Sequence, residues 1–363
     1  MASRNAILIY RIGSLGDTVV SLPCFHLIAR AFPDCHRILL TNTPVHSKAP
    51  AASTVLEGSG LIHEALNYSI GTRNVFELAK LYWRIRRSGV RTVVYLAPVR
   101  GDSASKRDEL FFRLCGVKRI VGIPHGELST YLYDPKVDRY ESEASRLARC
   151  LSELGDARLN DRASWDLHLS KVEHSRAAIA LSAIAGTPFL TLGIASKQQV
   201  TDWGVANWKD LMPQLQQKFP EHALVFIGAK EDRPSVDEVS AQWAGTTLNL
   251  CGELSPRESA AVIQRGDAYL GLDSGPMHVA ASVGTTCISI APANKLPGIW
   301  FPYGEGHEVI YHKTECFGCN LHVCTLEKKK CILSISPAEA ASAVVRAVGR
   351  KRGVAIAIGI LTC

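Results

Sequence analysis

Three groups of residues in this 363-residue chain have types and spacings that could do chemistry. The first is Asp273-Ser274-Gly275-Pro276-Met277-His278, which follows a short apolar run, Tyr269–Leu272. Gly275 can take a positive φ and Pro276 suits a first helical position, so the stretch reads as a strand turning into a helix over Met277–Val283. Such a helix start aims unpaired N–H groups and a positive dipole end past the strand's carboxyl edge, where a phosphate fits. An ordinary strand-to-helix turn, capped by Asp273 or Ser274 with His278 merely packed, satisfies the same pattern.

The second group, Gly13-Ser14-Leu15-Gly16-Asp17, sits where a dinucleotide fingerprint would begin, yet it lacks the full G-x-G-x-x-G and is no P-loop. Asp17 is then either a helix-start acid favoured by the dipole or a general base facing a substrate that Gly16 lets approach the backbone. The third group is Cys316-x2-Cys319-x4-Cys324-x6-Cys331. These thiols suit a loop clamped on tetrahedral Zn²⁺; an iron–sulfur cluster, free thiols and a disulfide are the alternatives, and His312 or His322 could replace one cysteine. A closed four-ligand site would be structural, not catalytic.

Alternating elements must position these groups. Ala6–Tyr10, Arg37–Thr41, Thr92–Leu96 and Arg119–Gly122 are predicted strands, interleaved with helices over Thr18–Ala31 (in spite of Pro23), Phe76–Arg87 (an apolar stripe with a basic face) and Ser142–Leu154. A second alternation runs from the strand Phe189–Gly193 through helix Trp208–Phe219, strand Ala223–Ile227, helix Pro234–Trp243 and strand Thr247–Leu250. It continues through a helix over Pro256–Arg265, where Ser255 and Glu258 have capping-box spacing, and closes with a helix over Pro337–Val348. Apolar β-branched strands separated by helices predict parallel sheets covered on both faces. The polar stretch from about Asp156 to Thr187 is the expected linker, giving an N-terminal domain over 1–165 and a C-terminal one over 180–348 that carries the cysteine loop at 316–331. Two doubly wound α/β domains should bind ligand at their carboxyl edges, on a shared cleft.

Composition is consistent with that size: 47% of residues are hydrophobic and 21% charged, with no long biased tract, which predicts a globular, soluble chain of two domains. The formal charge of +7 is a mild excess spread along the sequence. It suits an anionic substrate or an acidic membrane surface, and without an arginine-rich arm or a basic helix with interleaved aromatics no nucleic-acid partner is expected. The first residues lack the layout of a secretory signal, so a cytoplasmic location is expected, with the 11 cysteines as thiols or metal ligands. The apolar run Val354–Thr362, behind Arg350, Lys351 and Arg352, is far short of a membrane span and reads as a frayed or packed tail, or one resting on a membrane surface. No D-x-D occurs anywhere, so no paired carboxylates are expected to hold Mg²⁺ on a diphosphate.

Gly16-Asp17 followed by Ser21-Leu22-Pro23, together with Asp273-Ser274-Gly275-Pro276-Met277-His278-Val279-Ala280-Ala281, resembles the two motifs of glycosyltransferase family 9, the lipopolysaccharide heptosyltransferases. Cys251-Gly252-Glu253-Leu254-Ser255 looks like the family's G-x-x-S/T-L segment, and Trp203…Trp208 looks like its W-P-x-x-x-W segment. The resemblance implies the GT-B architecture, two facing Rossmann-like domains with a central cleft. It also implies metal-independent, inverting transfer of a sugar, typically a heptose from an ADP donor, onto a lipopolysaccharide core or related glycan.

By that likeness Asp17 is the base for the acceptor hydroxyl. Asp273, Ser274, Gly275 and His278 hold the donor's diphosphate and sugar, Leu254 lies beside the adenine, and Glu231 loosely matches the acid that takes the ribose hydroxyls. Two positions depart from the pattern. Thr201 stands where the family carries a phosphate-neutralising lysine, and Gly204 replaces the proline; Lys197 is the nearest candidate substitute. Similar cysteine clusters occur late in many family members. Acceptor contacts are expected in the N-terminal domain, from Gly16, Arg73, Arg100 and Lys106, with Arg107 close by. Another nucleotide sugar or acceptor, and a non-catalytic nucleotide-binding protein of the same fold, are the other readings.

Overall fold

The computed structural model describes residues 5–43, 51–69, 71–72 and 74–361, with side chains to residue 350. The chain divides into two compact units, Met1–His168 and Leu169–Cys363.

In the first unit, β1 (Ala6–Tyr10) leads through α1 (Leu15–Val19) and α2 (Leu22–Ala31) to β2 (His36–Asn42). Then come α3 (Ala52–Leu56), β3 (Glu64–Tyr68), α4 (Val75–Arg87), β4 (Thr92–Tyr95), α5 (Asp102–Leu114) and β5 (Arg119–Val121). A small hairpin, β6 (Tyr133–Asp134) with β7 (Arg139–Tyr140), and α6 (Glu143–Cys150) follow. The sheet is parallel in the order β3-β2-β1-β4-β5. Apolar side chains of β1, β2 and β4 fill its core with Phe112 from α5 and Leu81 and Ile85 from α4.

One expected helix is two. Thr18–Ala31 breaks after Val20, because Pro23 has no N–H to give an interior turn and is instead accommodated in the first turn of α2.

The second unit begins with α7 (Lys171–Ala180), which falls inside the stretch expected to be a linker. Ser170 and Glu173 cap it reciprocally at 2.6 and 3.4 Å, and Glu173 reaches across to Arg257, so the helix is packed and not a tether. The unit continues with β8 (Phe189–Gly193), α8 (Val205–Lys218), β9 (Ala223–Phe226), α9 (Arg233–Ser240), β10 (Thr247–Asn249), α10 (Pro256–Ile263) and β11 (Ala268–Leu272). It ends with α11 (Gly275–Ser282), β12 (Cys287–Ala291), β13 (Glu308–Tyr311), α12 (Lys330–Leu333) and α13 (Pro337–Leu361). Its parallel sheet has the order β10-β9-β8-β11-β12-β13.

The expected capping box of α10 is present, with Ser255 N–H donating to Glu258 at 2.7 Å and Glu258 N–H to the Ser255 hydroxyl at 3.2 Å. Trp203 and Trp208 are buried edge to face, 5.0 Å apart, and the Trp203 indole donates to the Ile335 carbonyl at 3.0 Å. These two residues therefore staple α8 to the approach of α13, which makes them core. No helix among the described residues is long and apolar enough to cross a membrane; the side chains of Val354–Thr362 lie outside the described residues.

Candidate functional site

Both sheets reverse strand order beside their first strand, between β1 and β4 in one unit and between β8 and β11 in the other. Ligands of doubly wound sheets bind at that point, beyond the carboxyl ends of the strands. Asp17 follows β1 and Asp273 follows β11, so each stands at the switch-point edge of its own unit.

In the first unit the β1–α1 turn holds Asp17. Gly13 stands at φ +129°, and a Cβ there would lie 2.5 Å from Asp17 Cβ, so the turn closes only with glycine. The Gly13 N–H donates to Asn42 Oδ1 at 2.8 Å. The Ser14 N–H and hydroxyl both donate to Asp17 Oδ2, at 2.7 and 2.9 Å, while Oδ1 lies 3.9 Å from Arg11. The carboxylate is thus aimed and a quarter exposed, so it is both a helix-start acid and a group a substrate could meet.

Behind it lies a charged cluster that the sequence reading missed. Arg11, Glu143 and Arg146 are all fully buried. Arg11 donates to the carbonyls of Leu96, at 2.5 Å, and of Asp17, and stands 4.0 Å from Glu143. Glu143 accepts two bonds from Arg146 at 2.7 Å and one from the Tyr131 hydroxyl at 2.8 Å. Burial pulls the Arg11 guanidinium below its ordinary value, opposed by the charges of Asp17 and Glu143. The signal available in the sequence was a charged residue directly after an apolar strand.

The expected acceptor contacts are dispersed. Arg100 follows β4 and is tied to Asp108, with its second bond to the Tyr95 hydroxyl at 2.8 Å, so its charge is already balanced. Arg107 also reaches Asp108, at 3.3 Å, and Lys106 lies exposed on α5. Gly16 is buried inside α1. Arg73 lies outside the described residues.

In the second unit the expected donor residues line consecutive strand ends. Asp273 and Ser274 follow β11, and α11 starts at Gly275 with an extended Ser274 whose side chain makes no capping bond. In that first turn Pro276 has no N–H and the Met277 N–H donates to the Ser274 carbonyl at 3.1 Å, which leaves the Gly275 amide and the positive end of the helix dipole toward the strand's carboxyl edge. His278 is buried in α11, its ring 6.1 Å from Trp300. Burial pushes the Asp273 carboxyl up to about 7, against the pull of Lys295. Lys295, from the loop after β12, is a cation the sequence reading did not single out; it also donates to Asn320.

Lys197 is exposed on the loop after β8. Thr201 is buried, its hydroxyl engaged with Ser196 and donating to the Gln198 carbonyl at 3.0 Å. It holds the loop and presents no charge. Glu231 is exposed on the turn after β9, and Leu254 is half-buried on the turn after β10. These two turns touch: Gly252 donates to the Gly228 carbonyl at 2.9 Å, and a Cβ on Gly252 would meet the Lys230 backbone at 2.8 Å.

The cysteine loop also lies in the second unit. Every described cysteine is a free thiol, and among the described residues no group of three or more His, Cys, Asp or Glu side chains is gathered around a metal position. The backbone of this loop is tightly turned. Gly318, Asn320, Lys328 and Lys329 all have positive φ, a strained state for the three that are not glycine. The Lys329 N–H donates to Cys324 Sγ at 3.2 Å, and that bond, with further amides, holds the thiol below its usual range. Burial raises the Cys331 thiol, and Cys316, Cys324 and Cys319 lie near enough to raise it further.

Two Rossmann-type units, each a parallel sheet with its switch point beside the first strand, give the chain the GT-B class of α/β fold. The chain belongs to glycosyltransferase family 9, the heptosyltransferases, whose family model matches residues 134–330. The lipopolysaccharide core heptosyltransferase OpsX of Haemophilus influenzae is 24% identical over 133 residues, a match covering 34% of this chain and 38% of that protein. A family 9 glycosyltransferase from Veillonella parvula superposes with a TM-score of 0.73 at 17% identity, over 96% of this chain and 99% of that one. The ADP-heptose lipopolysaccharide heptosyltransferase II of E. coli does so with a TM-score of 0.66 at 18% identity, again over 96% and 99%.

Proposed function

We propose that this family 9 glycosyltransferase moves a heptose from ADP-heptose, with inversion, onto a lipopolysaccharide core or related glycan acceptor. The observation that carries the reading is the pair of switch-point devices: the carboxylate of Asp17 held from behind by Ser14, and the uncapped start of α11 beside Asp273. The names of OpsX and of the E. coli enzyme support the sugar and the acceptor class.

In this mechanism Asp17 takes the proton of the acceptor hydroxyl, and that oxygen attacks the anomeric carbon opposite the nucleotide. The departing diphosphate is met by the Gly275 amide, the dipole end of α11 and cationic side chains, with no metal in the step. Since Thr201 carries no charge, Lys295 and Lys197 are the cations proposed to replace the family's lysine. The enzyme is proposed to work at the cytoplasmic side of a membrane, in peripheral contact with it.

Calorimetric titration with ADP, UDP and GDP, and then with the corresponding nucleotide sugars, tests the donor. Preference for ADP is expected; preference for UDP or GDP would favour a transferase with another donor, and binding of none would favour a non-catalytic protein. The same titration has a pH signature. A protonated Asp273 can donate to the diphosphate, whereas an ionised one repels it. Affinity for ADP-heptose should therefore fall as pH rises through about 7, and Asp273→Asn should flatten the profile. Apo stability should move in the same direction: the folded chain keeps this proton above the ordinary 3.8, so the contribution declines as pH rises from there to about 7.

The cysteine loop is proposed to hold a structural Zn²⁺ on Cys316, Cys319, Cys324 and Cys331, away from the reacting atoms. Elemental analysis of purified protein is expected to give near-stoichiometric zinc, strongly reduced by Cys316→Ser. Equal metal in the two proteins would remove the site.

A further inference from the structure

The helix α4 stands on the first unit with an unusual outer face. Only Leu81 and Ile85 are buried, and they turn inward to the sheet. The first turn and a half, from Val75 to Lys80, is exposed throughout, with Val75 at 73% and Phe76 at 87%. Phe76, Lys80, Trp83 and Arg87 fall at i, i+4, i+7 and i+11, which places them on one stripe opposite Leu81 and Ile85. Trp83 is 54% exposed, and the Arg87 guanidinium lies 5.8 Å from the centre of its ring. The basic face expected of this helix thus also carries exposed aromatic rings.

We infer that α4 is a docking surface for an anionic phospholipid bilayer, lying in the plane of the headgroups. The apolar members are what a water-facing helix has no use for, since each large exposed side chain on one contiguous face forgoes burial. The charge selects the occupant. Lys80, Arg84, Arg86 and Arg87 stand against the single carboxylate of Glu77, an excess of three positive charges (4 − 1) on one helix. A second copy of this chain, paired about a twofold, would set that excess against itself. An acidic lipid surface complements it, while Phe76 and Trp83 take the boundary between headgroups and acyl chains and the cationic side chains remain in water. Single-stranded nucleic acid tracks a basic groove with a ring for each successive base, whereas Phe76 and Trp83 stand about two turns apart on the outside of one helix. The surface deepens the proposed membrane contact of the transferase reading, yet it needs neither donor nor acceptor to be measured.

Co-sedimentation of the full chain with vesicles tests it. Vesicles of phosphatidylglycerol and phosphatidylethanolamine, carrying no acceptor sugar, are compared with pure phosphatidylcholine. Binding to the anionic vesicles alone is expected, weakening as salt rises. Phe76→Ser with Trp83→Ser should lower the affinity by at least about tenfold. Lys80→Gln with Arg87→Gln should remove much of the salt dependence, and both variants should keep the parent's circular dichroism and ADP binding. Four results would overturn the inference: no binding by the parent, aromatic variants that bind as well as it does, an oligonucleotide bound at least as tightly through the same residues, or self-association that the aromatic substitutions abolish. Loss of transfer activity with vesicle binding intact would count against the proposed function and leave the docking surface standing.

Discussion

Replacing Asp17 by Asn is expected to lower kcat by about a hundredfold to ten-thousandfold with little change in donor affinity. The substitution keeps the shape that Gly13 and Ser14 close around, so the turn survives. An amide oxygen can still accept the two bonds from Ser14, but the side chain can no longer take a proton from the acceptor. Steady-state kinetics alongside donor calorimetry separates the two effects. An Asp17→Asn enzyme turning over at the parent rate would leave Asp17 as a helix-start acid only.

The second large effect is on stability. Arg146→Met should destabilise the first unit by about 3–5 kcal/mol, because it removes two bonds from a carboxylate with no exposed surface. Glu143 would be left with Tyr131 and the longer 4.0 Å approach of Arg11. Chemical denaturation reads the loss directly. The double substitution Arg146→Met with Glu143→Gln should recover part of it, since the stranded charge is then gone. A single variant within about 1 kcal/mol of the parent would mean that water reaches the cluster and screens it.

Much of the architecture is legible from periodicity. The apolar strands of both units stand where the pattern puts them, because a parallel strand buried on both faces is a nearly continuous apolar run. The elements that escaped have physical reasons. Glu64–Tyr68 is an edge strand with mixed burial, so its composition carries little signal. Asp102–Leu114 opens on a polar turn, DSASKRDE, that masks the helix. Lys171–Ala180 is nearly uniform in polarity around its circumference; it is held by its cap and by Arg257, a tertiary partner no local window contains.

The site divides in the same way. Asp17 and Asp273–His278 stand out in the sequence because glycine and proline punctuate them at strand ends, and the structure places them after β1 and β11. Arg11, Glu143 and Arg146 could not, since charged residues belong at the surface by default and only the fold shows these three buried together. Lys295 was hidden because its nearness to Asp273 depends on β11 and β12 being neighbours. Arg100 shows the converse: a cation at the right strand end whose charge is taken by Asp108, eight residues on.

The most direct test of the account is product analysis after incubation with ADP-heptose and a heptose-deficient lipopolysaccharide core. The prediction is an acceptor heavier by one heptose, one ADP released per transfer, an inverted anomeric configuration, and none of these with Asp17→Asn. Transfer that Asp17→Asn leaves undiminished, or no transfer from any nucleotide sugar by a protein that binds none, would contradict it.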